Sequence, residues 1–284
     1  MQYVIFVIAF ALLIVFAVVL FDSNRFIVKT YEFTSEKILK DATFVFVSDL
    51  HNKEYGKQNK KLLRAVRDIS PDAVLLGGDI LTAKKGESFD KASEFVKRIA
   101  EEFQVYYANG NHEFRIRIYP DKYGQMSELY EKSIQSPKIT RLMNQTMLVP
   151  ELNVKISGLE IGAQYYKKFE KKKMESEYVE TLLGKNDLNC FHILMAHNPE
   201  FFSQYAEYGA DLILSGHVHG GVAVMPCFGG VISPSLRLFP KYDGGLFREN
   251  GVAMVLSRGL GAHTIPVRFL NPGELVVIRL HAQK

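Results

Sequence analysis

The chain has 284 residues, 47% of them hydrophobic and 23% charged, with a formal net charge of +4. That length and composition exclude a disordered chain or a disulfide-stapled miniprotein and support a sizeable core. Its two cysteines, Cys190 and Cys227, form no Cys-x-x-Cys pair, and the mild charge suggests no nucleic-acid partner.

The first element in chain order is apolar. Tyr3 to Phe21, "YVIFVIAFALLIVFAVVLF", is a run of 19 residues without a charge. With a helical rise of about 1.5 Å per residue, it just spans a hydrocarbon layer of about 30 Å. It lacks a positive n-region, a short apolar stretch and a small-residue cleavage site, so residues 1–21 are read as an uncleaved single-pass anchor. Arg25, Lys29, Lys37 and Lys40 come after the span and no Lys or Arg precedes it. The positive-inside rule then favours the cytoplasmic face for the catalytic part of the chain. Residues 22–40 read as a polar stalk, and 41–284 as one globular domain.

Beyond the stalk, "TFVFVS" (43–48) has the β-branched and aromatic content of a buried strand. "NKKLLRAVRDI" then spaces Leu62, Leu63, Val66 and Ile69 as on a helix. A strand "AVLLG", a helix across "FDKASEFVKRIAEEF" and a strand "QVYYA" come next. This β-α-β-α-β order predicts right-handed crossovers and a parallel core sheet. In the second half, "TMLVP", "LNVKISGLE", "FHILMAH", "DLILSGH", "GVAMVLSRG" and "ELVVIRL" read as strands of a second sheet packed on the first.

Polar residues recur where these strands end. "SDLHN" supplies Asp49 and His51, "LGGDI" supplies Asp79, and "ANGNHEF" supplies Asn111 and His112. "FHILMAH" ends in His197, and "LILSGHVHGG" supplies His217 and His219. In open α/β sheets, ligands bind beyond the carboxyl ends of the strands. Asp49, Asp79, Asn111 and the four histidines 51, 197, 217 and 219 carry O and N donors, too many for one tetrahedral ion. Two divalent ions sharing a carboxylate use the set well, and such pairs activate water for in-line phosphoryl displacement.

The series "DLH", "GD", "GNHE", "AH" and "GHVH" across residues 43–221 resembles that of the calcineurin-like metallophosphoesterases. The resemblance implies a four-layer α/β/β/α sandwich of two mixed sheets flanked by helices. It also implies that Asp49, His51 and His219 bind one ion, that Asn111, His197 and His217 bind the other, and that Asp79 bridges them. His112 is implied as the catalytic group beside the phosphoryl, with Glu113 orienting its loop. The expected cofactor is two divalent ions suited to such ligands, Mn, Fe or Zn; N and O ligands alone do not choose among them.

"VLSRGLGAHTIPVRFLNPGELVVI" is similar to the end of the membrane-anchored bacterial branch of that family. Some members of the branch act on aryl phosphodiesters, others on the pyrophosphate of UDP-2,3-diacylglucosamine. The expected function is hydrolysis of a phosphodiester or pyrophosphate, with a lipid-linked substrate suggested by the anchor. A non-enzymatic metal-bound scaffold of the same fold is the alternative, and no obligate protein partner is evident.

Other residues have two readings. Arg258, at a strand end among glycines, either holds a substrate phosphate or pairs with a neighbouring acid. His192 reads as packed core, His281 as surface, and His263 either lines the site or does not. "YYKKFEKKKMESE" (165–177) reads as a solvated helix face. Residues 222–240, with Val231, Ile232, Leu236 and Leu238, are either core or an apolar lip for an acyl chain.

Overall fold

The structure is a computed structural model that describes residues 1–167, 172–221, 224–225, 229–230, 240–262 and 267–283. The apolar run forms helix α1 (Gln2–Ser23), all of whose side chains before Val18 are exposed. Strand β1 (Phe26–Ser35) starts at once, then β2 (Ala42–Val47), α2 (Lys60–Ile69), β3 (Ala73–Leu76), α3 (Asp90–Glu102) and β4 (Gln104–Ala108). Three short helices come next, α4 (Asn111–Ile118), α5 (Pro120–Tyr123) and α6 (Met126–Ser133). The strands β5 (Ile139–Leu142), β6 (Gln145–Val149) and β7 (Val154–Leu159) precede α7 (Tyr178–Leu183), β8 (Phe191–Ala196), α8 (Phe202–Glu207) and β9 (Leu212–Ser215). The chain closes with a small ribbon, β10 (Val224–Met225) and β11 (Gly229–Gly230), then β12 (Gly245–Glu249), β13 (Val252–Leu256) and β14 (Gly273–Ala282).

Two six-stranded mixed sheets result, ordered β1-β14-β2-β3-β4-β5 and β12-β13-β9-β8-β7-β6. Strand alternation builds the layers. Val45 and Val47 of β2 face α2 and α3, packing with Leu62, Val66, Phe95 and Ile99. Phe44 and Phe46, one residue out of phase, face the second sheet and meet Ile156, Ile193, Leu214 and Val255. The outer face of the second sheet is covered by Val179, Phe202 and Tyr205. Three apolar interfaces between four layers make the expected α/β/β/α sandwich.

Two expectations need correction. Residues 22–40 are not a stalk: β1 pairs in parallel with β14 from Phe26↔Gly273 to Ser35↔Ala282. Its charged residues suit a sheet edge, where one side faces water. The run "ELVVIRL" is β14, which joins the first sheet between β1 and β2 instead of the second. An apolar run buried on both faces fits either sheet, so its pattern does not assign it.

The parallel strands β2, β3 and β4 of one sheet and β8, β9 and β13 of the other bring the motif loops to one edge of the sandwich. Removing β1 strips β14 of its parallel neighbour. A fragment 41–284 is therefore expected to melt at least about 5 °C below a fragment 25–284; equal melting temperatures in calorimetry would restore the stalk reading.

Candidate metal centre

The loops after β2 and β3 run side by side, with Asp49 N, His51 N and Asn52 N donating to the carbonyls of Gly78, Asp79 and Ile80 at 3.0 Å. They cross the loop after β4 backbone on backbone. A Cβ on Gly78, which has φ +90°, would lie 2.1 Å from Gly110 N. A Cβ on Gly216 would lie 2.2 Å from Asp49 Oδ2, so the histidine loop also depends on close approach.

Asp49, His51, Asp79, His217 and His219 all adopt positive φ, between 48° and 73°. Non-glycine residues in the left-handed region cost about 1–3 kcal/mol each and gather at functional sites. These backbones hold five of the seven expected ligands.

The side chains converge as two groups. Asp49, His51 and His219 form one: His51 Nε2 lies 3.3 Å from His219 Nε2, which is 3.4 Å from Asp49 Oδ1. Asp79, His197 and His217 form the other, with His197 Nε2 at 3.1 Å from Asp79 Oδ2. Asp79 Oδ2 is also 3.8 Å from His51 Nε2, so one carboxylate faces both groups. Two ligands about 2.1 Å from a common ion stand roughly 3.0–3.5 Å apart, which the closest contact within each group matches, at 3.3 Å and 3.1 Å.

Two buried atoms test the fit to a cation. Asn111 Oδ1 has no hydrogen-bond partner, and His197 Nε2 meets only carboxylate oxygens, the nearer being Asp79 Oδ2 at 3.1 Å. Leaving buried polar atoms unsatisfied costs about 1–3 kcal/mol each, and both are lone-pair donors when His197 carries its proton on Nδ1. That tautomer is set by the Gly77 carbonyl, which lies 2.8 Å from His197 Nδ1. His219 Nδ1 meets the Gly261 carbonyl at 3.3 Å in the same way. Six of the seven expected residues are thus brought together, and Asn111, the first residue of α4, is buried next to His112, whose backbone N–H donates to Asp79 Oδ1.

His112 belongs to the same cluster, with Nε2 at 3.9 Å from Asp79 Oδ2. Its Nδ1 accepts the Ala83 N–H at 2.7 Å. A neutral His112 therefore carries its proton on Nε2, as a donor and not a ligand. Its backbone N–H donates to Asp79 Oδ1 at 2.7 Å.

The Glu113 carboxylate accepts the N–H groups of Asp79, Ile80 and Gly110 at 2.8–3.0 Å and the Tyr107 hydroxyl at 2.9 Å. It ties two motif loops and the start of α4 together. Ser48 Oγ donates to Asp49 Oδ2 at 2.5 Å, and His217 N–H donates to the same carboxylate.

Burial dominates the site's electrostatics. It pushes the Asp79 carboxyl up to about 6, against the lowering pull of His197. Burial works to lower His197, but the Asp79 and Asp49 carboxylates overcome it and hold the imidazole up near 10. Burial, aided by the charge on His197, pushes His217 down to about 3.

Sequence reasoning missed several supporting residues. Tyr166 places its ring 5.5 Å from that of His217. Asn271 Nδ2 donates to the carbonyls of His219 and Gly221 at 2.8 Å. Arg268 is buried and donates to backbone carbonyls of the loop beneath His219. Asparagine and arginine near a chain end carry no motif, so spacing does not announce them. Arg258 packs its side chain along Gly220 and Gly244. His192 is core, bonded to Ser157 Oγ at 2.7 Å, and the half-exposed His281 meets Asp41. His263, Val231, Ile232, Leu236 and Leu238 lie outside the described residues.

The family model described as calcineurin-like phosphoesterase matches residues 42–221. The UDP-2,3-diacylglucosamine pyrophosphatase LpxG of Chlamydia muridarum is 24% identical, covering 83% of this chain and 82% of that protein. An uncharacterized metallophosphoesterase of Helicobacter pylori J99 is 26% identical over 86% of this chain, which spans 61% of that protein's length. Among solved structures, the NAD nucleotidase of Haemophilus influenzae is similar at 16% identity and TM-score 0.47, covering 77% of this chain and 45% of that one.

Cation binding must displace the proton that His197 holds against Asp79. Affinity should therefore rise with pH, with protons released on binding. Calorimetric titration with manganese between about pH 6 and about pH 8, in buffers of different ionisation enthalpy, checks this; a pH-independent affinity without proton release would contradict it.

Proposed function

The chain belongs to the calcineurin-like phosphoesterase family, and on that premise we propose a membrane-anchored phosphohydrolase that cleaves a phosphodiester or pyrophosphate bond. The observation that carries this reading is the convergence of two ligand groups on the shared carboxylate of Asp79. The family works with two divalent metals, and the His/Asp clusters fit a binuclear site.

Asp49, His51 and His219 would hold one ion, Asn111, His197 and His217 the other, and Asp79 would give an oxygen to each. When bound, the pair supplies Lewis acidity and an activated water for in-line attack at phosphorus. The chain's own part is orientation and proton handling. Glu113 fixes the Asp79 and Asn111 loops relative to each other. Gly77 and Gly261 set the tautomers of His197 and His219. His112, held by Ala83 with its proton on Nε2, donates that proton to the leaving oxygen or to the charge gathering on the phosphoryl group.

The likeness to the chlamydial pyrophosphatase supports a pyrophosphate joined to acylated sugar as substrate. The 22-residue α1, with mean hydropathy 3.5 and no part of its best window buried in the protein, supports single-pass anchoring. The Lys and Arg residues after it favour a cytoplasmic catalytic domain. A scaffold without activity would have no need of the complete ligand set with His112.

His112→Gln is expected to lower kcat on bis(p-nitrophenyl) phosphate by roughly 10²–10⁴-fold while metal content stays unchanged. Steady-state kinetics beside elemental analysis reads both. Loss of metal in the variant would make His112 a ligand; unchanged kcat would remove it from catalysis.

A further inference from the structure

The end of α1 does not lead into a loose tether. Asp22 is buried and pairs with Arg25 at 2.8 Å. Asn24 Oδ1 accepts from Lys53 at 3.3 Å, and Gly273 N–H donates to the Arg25 carbonyl at 3.2 Å. Phe26 sets its ring edge-on to Tyr55 at 4.9 Å, and the Tyr55 hydroxyl donates to the Leu260 carbonyl at 2.5 Å. Ser23 Oγ accepts the Arg268 N–H at 3.3 Å.

Arg268 continues inward. Its guanidinium donates to the carbonyls of Arg258, Gly259, Gly261, Asn271 and Pro272. Gly261 O is the atom facing His219 Nδ1. A single side chain therefore separates the helix end from the outer shell of an expected metal ligand. Around the helix end the surface is amphiphilic: Ile27, Val28 and Leu270 are exposed, Arg25 is 40% exposed, and Lys53 is half-buried. Leu270 is held at φ 52°, a strained conformation for a leucine, with its side chain in solvent. Apolar groups among cations fit an interfacial layer containing anionic headgroups.

We propose that the end of α1, Leu270 and Arg268 form a rigid platform that seats the metal centre on the bilayer surface and holds it at one fixed depth against the headgroups. This rests on the anchored-hydrolase reading and adds a geometric reason for it. A mobile tether would let the domain roam in water. The bonded platform fixes the reacting phosphate at headgroup depth, where an amphiphile's effective concentration is high.

The test uses the full chain, loaded with manganese, in vesicles of phosphatidylcholine and phosphatidylglycerol. One variant carries a flexible Gly-Ser insertion of about ten residues after Asn24; a second is Leu270→Asp. Two diesters are compared, water-soluble bis(p-nitrophenyl) phosphate and vesicle-dissolved hexadecyl p-nitrophenyl phosphate. Both variants should keep kcat/KM on the soluble diester and lose roughly tenfold or more on the vesicle diester. Equal rates on the vesicle diester for wild type and variants would overturn the platform. Failure of the wild type to float with vesicles would instead overturn the anchor, and failure on both diesters with metal bound would overturn the hydrolase.

Discussion

Two carboxylates buried side by side among imidazoles are the constraint on which this molecule depends. Asp49 Oδ1 and Asp79 Oδ2 lie 3.7 Å and 3.1 Å from the same nitrogen of His197, and none of the three side chains is more than slightly exposed. Burying such charges is strongly unfavourable unless positive charge answers them. By itself the chain answers with a proton held on His197. A pair of divalent cations would answer more fully, and Asn111 Oδ1 is a buried oxygen left without a partner to offer one.

The architecture is organised around holding that cluster. Parallel strands from both sheets deliver their carboxyl ends to one edge. The loops there take left-handed backbones that the strands behind them over-determine, and Glu113 replaces a salt bridge with three backbone N–H groups as its partners. Ligand atoms on such a frame keep their geometry before any substrate arrives. The same edge is tied through Arg268 to the end of α1, the helix apolar enough to cross a membrane.

Much of this was legible in the sequence, for identifiable reasons. Strands β2, β3, β4, β8 and β9 are apolar runs ended by motif residues, so both the runs and the polar ends could be read. The seven expected ligand positions are marked by their place at strand ends. Strand β1 was not legible because an edge strand alternates charge with apolar groups and mimics a linker. Strand β14 could be seen as a strand but not assigned, since partner choice is a tertiary matter. Helices α4 to α6 run from Asn111 onward without a strong apolar stripe to announce them. The positive φ angles, the Ala83 contact that sets His112 and the Arg268 carbonyl network depend on residues distant in sequence. No local pattern carries them.

The central claim is most directly tested by diffraction from crystals of the manganese-loaded chain, measured at the metal absorption edge. Two anomalous peaks are predicted, one enclosed by Asp49, His51 and His219, the other by Asn111, His197 and His217, with Asp79 touching both. A single peak, or peaks away from Asp79, would contradict the account.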